Sequence, residues 1–147
     1  MNEKATKPSN AAATRSQLTF ALVHAAHAIE TRWQESLAGV GLSTAKLGAL
    51  TVLVQAGEPL SLGDLAARLT CVRSNITQLV DRLDADGLVR RVENPADRRS
   101  KKAAITPRGI ERQAAGTREI ERVQKELGNA LSAIDPMMLE RVLAKLK

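Results

Sequence analysis

The sequence predicts a mainly α-helical protein that carries one small β-hairpin. Three observations support this. Apolar residues recur at steps of three and four along most of the 147 residues, the period of one helix face. The chain has one Phe, one Trp and no Tyr, so its core must be Leu, Val, Ile and Ala, which favours helices over a β-sandwich. Between Leu88 and Thr106 the helical period gives way to short alternating runs around an Asn94-Pro95 turn signal.

Each element follows from its own signals. Residues 1–14 are small and polar, with Pro8, and read as a disordered tail. A long helix follows, with Leu18, Leu22, Ala25, Ile29, Trp33 and Leu37 on one face and Phe20, His24 and Thr31 on another. Gly39 and Gly41 end it. Ser43 is the expected N-cap of a helix bearing Leu47, Leu50, Leu53 and Val54, which Gly57 and Pro59 stop. Ser61 and Asp64 form a capping-box-like start for a short helix with Leu62, Leu65, Ala66 and Leu69.

The next helix runs from about Arg73 to Ala85. Its buried face is Ile76, Leu79, Val80 and Leu83, and Asp86-Gly87 closes it. "LVRRVE" and "KKAAIT" are the two hairpin strands, separated by "NPADRRS". Thr106-Pro107 and Asp135-Pro136 each open a further helix, with a capping side chain followed by Pro at the first position. The apolar positions of these two include Ile110, Ala114, Ile120, Val123, Leu127 and Leu131, then Leu139, Val142, Leu143 and Leu146. The expected divisions are a tail over 1–14, a long helix over 15–40, a lobe of short helices and the hairpin over 43–106 and two further helices over 107–147.

The formal charge of +6 points to a polyanionic partner. The lone cysteine, Cys71, rules out a disulfide within the chain and suits a reducing compartment. No apolar run has the length of a signal-peptide core or of a bilayer span. The chain therefore reads as soluble and cytoplasmic, with no membrane partner.

Helix, turn, short helix, longer helix and hairpin is the order of a winged helix-turn-helix. At 100° per residue, Ser74, Asn75, Thr77, Gln78, Asp81 and Arg82 fall away from the apolar stripe of the helix over about 73–85. Asn and Gln can pair with adenine and Arg with guanine, so this face suits the major groove. Six basic and two acidic residues lie between Arg90 and Lys102. A solvated turn tolerates that repulsion in salt, and a narrow minor groove would favour it. Arg98 or Arg99 is expected in the minor groove beside the helix, with Asp97 holding one of them by an ion pair. A merely solvated charge run is the plain alternative.

Residues 60–109, "LSLGDLAARLTCVRSNITQLVDRLDADGLVRRVENPADRRSKKAAITPRG", resemble the core of the MarR-type winged-helix regulators. Asp97-x-Arg99 followed by Ile105-Thr106 is similar to the family's wing signature, with Ile in place of Leu. "LVDRL", "DGLV" and "TPRG" are also similar to family positions. The resemblance implies a homodimer joined through the first and last two helices, on a palindromic double-stranded operator. It also implies regulation of nearby genes, most often repression, released by a small molecule or an oxidant. Carried over residue by residue, it gives Ser74, Asn75, Thr77 and Gln78 base or phosphate contacts and puts Arg99, or Arg98 with it, in the minor groove. Arg73 and Arg82 on the helix and Lys101 on the wing over about 92–102 are further DNA-contact candidates. Palindromic reading has a geometric reason as well, since one helix reads few base pairs and two half-sites a helical turn apart add specificity.

Other residues invite a sensing role. Cys71 precedes the reading helix, where a thiol can be acidified and oxidised; a small buried residue filling a corner is the plainer reading. His24 and His27 with Glu30 have a ligand-like spacing but no further partners, so no metal and no cofactor is expected. The resemblance places a ligand pocket between the dimer helices and the DNA lobe, with Phe20, His24, Thr31 and Trp33 as lining residues; ordinary packing explains any single one.

No enzyme is expected. The chain has no P-loop, no G-x-S-x-G and no dinucleotide fingerprint. Its two histidines give a nucleophile no base with an orienting partner. Two further functions fit the same fold. One is a non-specific DNA-compacting protein, which would carry mainly Lys and Arg where this chain has Asn75, Thr77 and Gln78. The other is a winged-helix protein adaptor.

Overall fold

A computed structural model describes residues 10–69 and 76–146. In chain order it contains α1 (Asn10–Ala38), α2 (Thr44–Ala56), β1 (Leu60–Ser61), α3 (Leu62–Arg68), α4 (Ile76–Ala85), β2 (Val89–Asn94), β3 (Asp97–Ile105), α5 (Pro107–Leu131) and α6 (Pro136–Leu146). The chain divides into two compact units, with the boundary inside α1 between Arg32 and Trp33.

The first unit is the α1 segment up to Arg32. The helix begins at Asn10, earlier than the predicted tail allows. Ala11, Ala12 and Ala13 have the strongest helix propensity of any residue, which offsets the polar composition there. The rest of the predicted tail, residues 1–9, lies outside the described residues. Leu18, Phe20, Leu22 and Val23 are 41–66% exposed.

The second unit, from Trp33 onward, holds the core. Leu37, Leu50, Leu53, Leu65, Val80, Leu83 and Val89 are its largest fully buried side chains. Each comes from a predicted apolar stripe or strand, and together they join α1, α2, α3, α4 and β2. The predicted caps are in place. Ser43 Oγ accepts from Lys46 N at 3.2 Å, Ser61 Oγ from Asp64 N at 3.0 Å and Thr106 Oγ1 from Gly109 N at 3.0 Å. Each satisfies a helix-start donor that has no partner within its helix. Ser61 Oγ also donates to the Asp64 carboxylate at 2.7 Å.

The α4 helix ends at Gly87, whose φ is +70°. That left-handed turn lets Leu88 N reach Leu83 O at 2.9 Å and sends the chain straight into β2. α5 then packs back against the same turn: a Cβ on Gly109 would sit 2.0 Å from Leu88 O.

The sheet has three strands in the order β1-β3-β2, all pairs antiparallel. The sequence predicted two of them. β1 is only Leu60 and Ser61, opposite Ala103 and Lys102; so short a strand has no periodicity of its own and forms because β3 offers an edge.

Candidate nucleic-acid interface

The α4 helix separates its two faces as predicted. Leu79, Val80 and Leu83 are buried, and Thr77, Gln78, Asp81 and Arg82 are exposed. Burying the first set against the core fixes the rotation of the helix, so the polar set must face outward. Arg73, Ser74, Asn75 and Cys71, all singled out in the sequence, lie outside the described residues.

The wing departs from its predicted form in one instructive way. The second strand starts at Asp97, not Lys101, so "DRRS" belongs to the hairpin rather than to a loop. Pairing runs from Val89↔Ile105 to Glu93↔Lys101 and then jumps to Asn94↔Asp97. Arg98, Arg99 and Ser100 therefore lie between two successive rungs with no partner residue on β2. Such an irregularity re-aims side chains at the end of a ladder.

Short-range hydrogen bonds hold the tip. Asn94 Oδ1 accepts from Ala96 N at 3.1 Å, and Asn94 Nδ2 donates to Ser100 Oγ at 2.9 Å. Asp97 Oδ1 accepts from Arg99 N at 2.9 Å. The predicted support of the wing by Asp97 thus takes another form. The carboxylate holds the Arg99 backbone, and no ion pair joins it to Arg98 or Arg99 among the described residues. The reason is geometric: a carboxylate bonding the amide two residues on closes an Asx-type turn, which leaves the guanidinium groups outside.

Both guanidinium groups are exposed and have no ion-pair partner among the described residues. Lys101, the other predicted wing contact, sits 3.7 Å from Glu93 directly across the ladder. Lys101 and Glu93 are largely exposed, so this pair is weak and available for exchange.

One site residue pair was not foreseen. Arg91 on β2 donates to the Asp81 carboxylate on α4, which ties the wing to the polar face of that helix. Opposite charges ten residues apart across a predicted turn were the available signal. Sequence alone does not say that the turn folds the strand back along that side of α4.

The proposed pocket residues are placed in both units. Phe20, His24 and Thr31 are exposed on the first. Trp33, in the second, is half-buried, and its indole N–H is buried with no hydrogen-bond partner among the described residues. Among those residues, no three His, Cys, Asp or Glu side chains come together in a way that could hold a metal. No described helix is long and apolar enough to cross a membrane.

Comparison with known proteins gives a consistent result. The sequence profile of the MarR family matches residues 40–100, which span α2 through the wing tip. The HTH-type transcriptional regulator YdgJ of Bacillus subtilis strain 168 is 32% identical over 107 residues, covering 73% of this chain and 65% of that protein. The transcriptional activatory protein BadR of Rhodopseudomonas palustris is 34% identical over 116 residues, 74% of this chain and 66% of that one. The chain thus spans just under two thirds of the length of these two relatives. CouR of Rhodococcus jostii RHA1, solved bound to p-coumaroyl-CoA, superposes with a TM-score of 0.67 at 23% identity and covers 88% of each chain.

Proposed function

The chain belongs to the MarR family, and from that premise we propose that it is a homodimeric, sequence-specific DNA-binding transcriptional regulator. The observation that carries the reading is the wing tip. Two exposed arginines, without an ion-pair partner among the described residues, stand outside the strand ladder, and the exposed face of α4 is polar rather than uniformly basic. α4 enters the major groove, where Thr77, Gln78 and Arg82 reach base edges or phosphates, and Arg73, Ser74 and Asn75 are further proposed contacts. Arg98 and Arg99 enter the flanking minor groove, and Lys101 takes a phosphate.

The dimer rests on exposed apolar surface. α6 has no buried residue, and Met137, Met138, Leu143 and Leu146 are 49–74% exposed on it. Leu18, Phe20 and Val23 are similarly exposed on α1. A second copy covering these faces removes them from water and sets two reading helices on a palindromic operator. Binding over a promoter represses the neighbouring genes, and a small molecule or an oxidant releases the DNA. A structural neighbour solved with a ligand, and the buried indole N–H of Trp33 with no hydrogen-bond partner among the described residues, support a small-molecule signal. The reading involves no catalysis and no cofactor.

Selection of fragments from the source genome by the purified protein tests this. A small set of sites sharing an inverted repeat supports the regulator and names its targets. Uniform recovery of the genome indicates DNA compaction, and no recovery indicates a protein partner. Transcription of a reporter behind a recovered site then gives the sign of regulation.

A further inference from the structure

A cleft of about 270 Å³ opens in the second unit, on residues that the DNA-reading account leaves unused. It is lined by Gly41, Lys46, Asp86, Leu88, Arg108 and Arg112. These come from four places: the turn after α1, the first turn of α2, the turn between α4 and β2, and the start of α5. Three cationic side chains face one carboxylate, a formal surplus of two positive charges. Lys46 Nζ sits 2.6 Å from Asp86 Oδ2. Arg112 is anchored by a hydrogen bond from one guanidinium nitrogen to the Val40 carbonyl. A Cβ on Gly41 would lie 3.1 Å from that same nitrogen, so the glycine leaves the guanidinium its place. Arg108 has no hydrogen-bond or ion-pair partner among the described residues.

Like charges converging in a cleft repel one another unless something offsets them. Asp86 offsets one of the three. We propose that a small anion bearing a carboxylate or phosphate group binds here, between Arg108 and Arg112, and competes with Asp86 for Lys46. The forked guanidinium groups suit planar carboxylate and phosphate oxygens. The volume is near the lower limit of small-molecule pockets, about 300 Å³. Leu88 is the one large apolar side chain on the wall. The ligand is therefore compact and charged, without a large aromatic body.

The consequence for the protein follows from where Asp86 stands. It begins the turn that ends α4, and its pair with Lys46 pins that end to α2. An anion that takes Lys46 from Asp86 frees the end of the groove-facing helix. The regulatory part of this inference rests on the DNA-binding reading; the binding part does not.

Inorganic phosphate is the first probe, titrated into the full chain without DNA, with chloride at matched ionic strength as the control. Thermal unfolding and amide shifts report occupancy. The parent is expected to give saturable stabilisation, with the shifts centred on residues 86–88 and 108–112. Arg108→Gln should raise the half-saturating phosphate concentration by about fivefold or more. Asp86→Asn, which removes the competing carboxylate, should lower it. These opposite directions separate binding from general loss of fold.

Equal responses to phosphate and chloride overturn the proposal. So does an Arg108→Gln variant that binds phosphate like the parent. A third contrary result is weaker DNA binding by Arg108→Gln with no phosphate response in the parent, since it assigns the arginine to the DNA backbone. A chain that saturates with phosphate but ignores DNA would instead count against the regulator and leave the anion site standing.

Discussion

Arg91 on β2 and Asp81 on α4 form an ion pair that joins the wing to the polar face of that helix. Asp81 is an acidic residue on that face, where a negative charge would repel a polyanion. Its pairing explains its presence: it ties α4 to β2, the two elements proposed to contact DNA. Asp81 is exposed and Arg91 half-buried, so water still screens the pair and its effect on stability is small, of the order of 0.2–1 kcal/mol.

Arg91→Gln should therefore leave unfolding nearly unchanged and weaken operator binding several-fold, about 1 kcal/mol. A double-mutant cycle with Asp81→Asn checks this. Coupling in DNA affinity is expected, because each change breaks the same link. Additive effects on affinity would mean that the two side chains act separately.

The wing tip makes a second prediction. Arg98→Ala and Arg99→Ala remove side chains with no ion-pair partner among the described residues, so both variants should unfold like the parent. Each should weaken DNA binding and lower the slope of log affinity against log salt by about one per lost contact. Asp97→Ala should act indirectly, since it removes the acceptor for the Arg99 amide and loosens the tip. An unchanged salt slope in all three would remove the wing from the interface.

Glycines in α5 offer a stability test with two signs. At Gly109 a Cβ would collide with the Leu88 carbonyl, and that backbone cannot move without disturbing the α4–β2 turn. Gly109→Ala should destabilise the fold by roughly 1–3 kcal/mol or more. At Gly128 nothing lies within 4 Å, so Gly128→Ala should stabilise it by roughly 0.5–1 kcal/mol through helix propensity. Denaturant midpoints of the two variants check both signs.

Acid sensitivity should appear where α1 meets α5 in the second unit. Glu119 is held below the usual glutamate range, first by the hydrogen bond from Ser36 and then by Arg122. Its folded pKa is thus lower than its unfolded one. The stabilisation is fully present above the unfolded value, about 4.3, and is lost as pH falls through the lowered folded value. The stability difference between the parent and Glu119→Gln should shrink across that acid window. A constant difference from neutral pH downward would mean that Glu119 titrates normally.

Much of this fold was legible because its signals are local. Ser43, Ser61 and Thr106 cap the helices that follow them. Leu79, Val80 and Leu83 are buried because the period of α4 gives them one face. What escaped depends on distant partners or on backbone detail. Leu60-Ser61 becomes a strand only beside β3. Arg98 and Arg99 leave the ladder through a register jump that no alternation pattern encodes. Asp97 spends its carboxylate on an amide, which residue type alone does not distinguish from an ion pair. The Asp81–Arg91 pair and the Lys46–Asp86 pin need the path of the chain between them.

The most direct measurement is the ratio of affinities for a selected operator and a scrambled duplex of the same length, at one salt concentration. A sequence-specific reader should prefer the operator by about 10³ or more. Arg98→Ala with Arg99→Ala should weaken both complexes. A ratio near one would contradict the account, since the polar face of α4 would then read no bases.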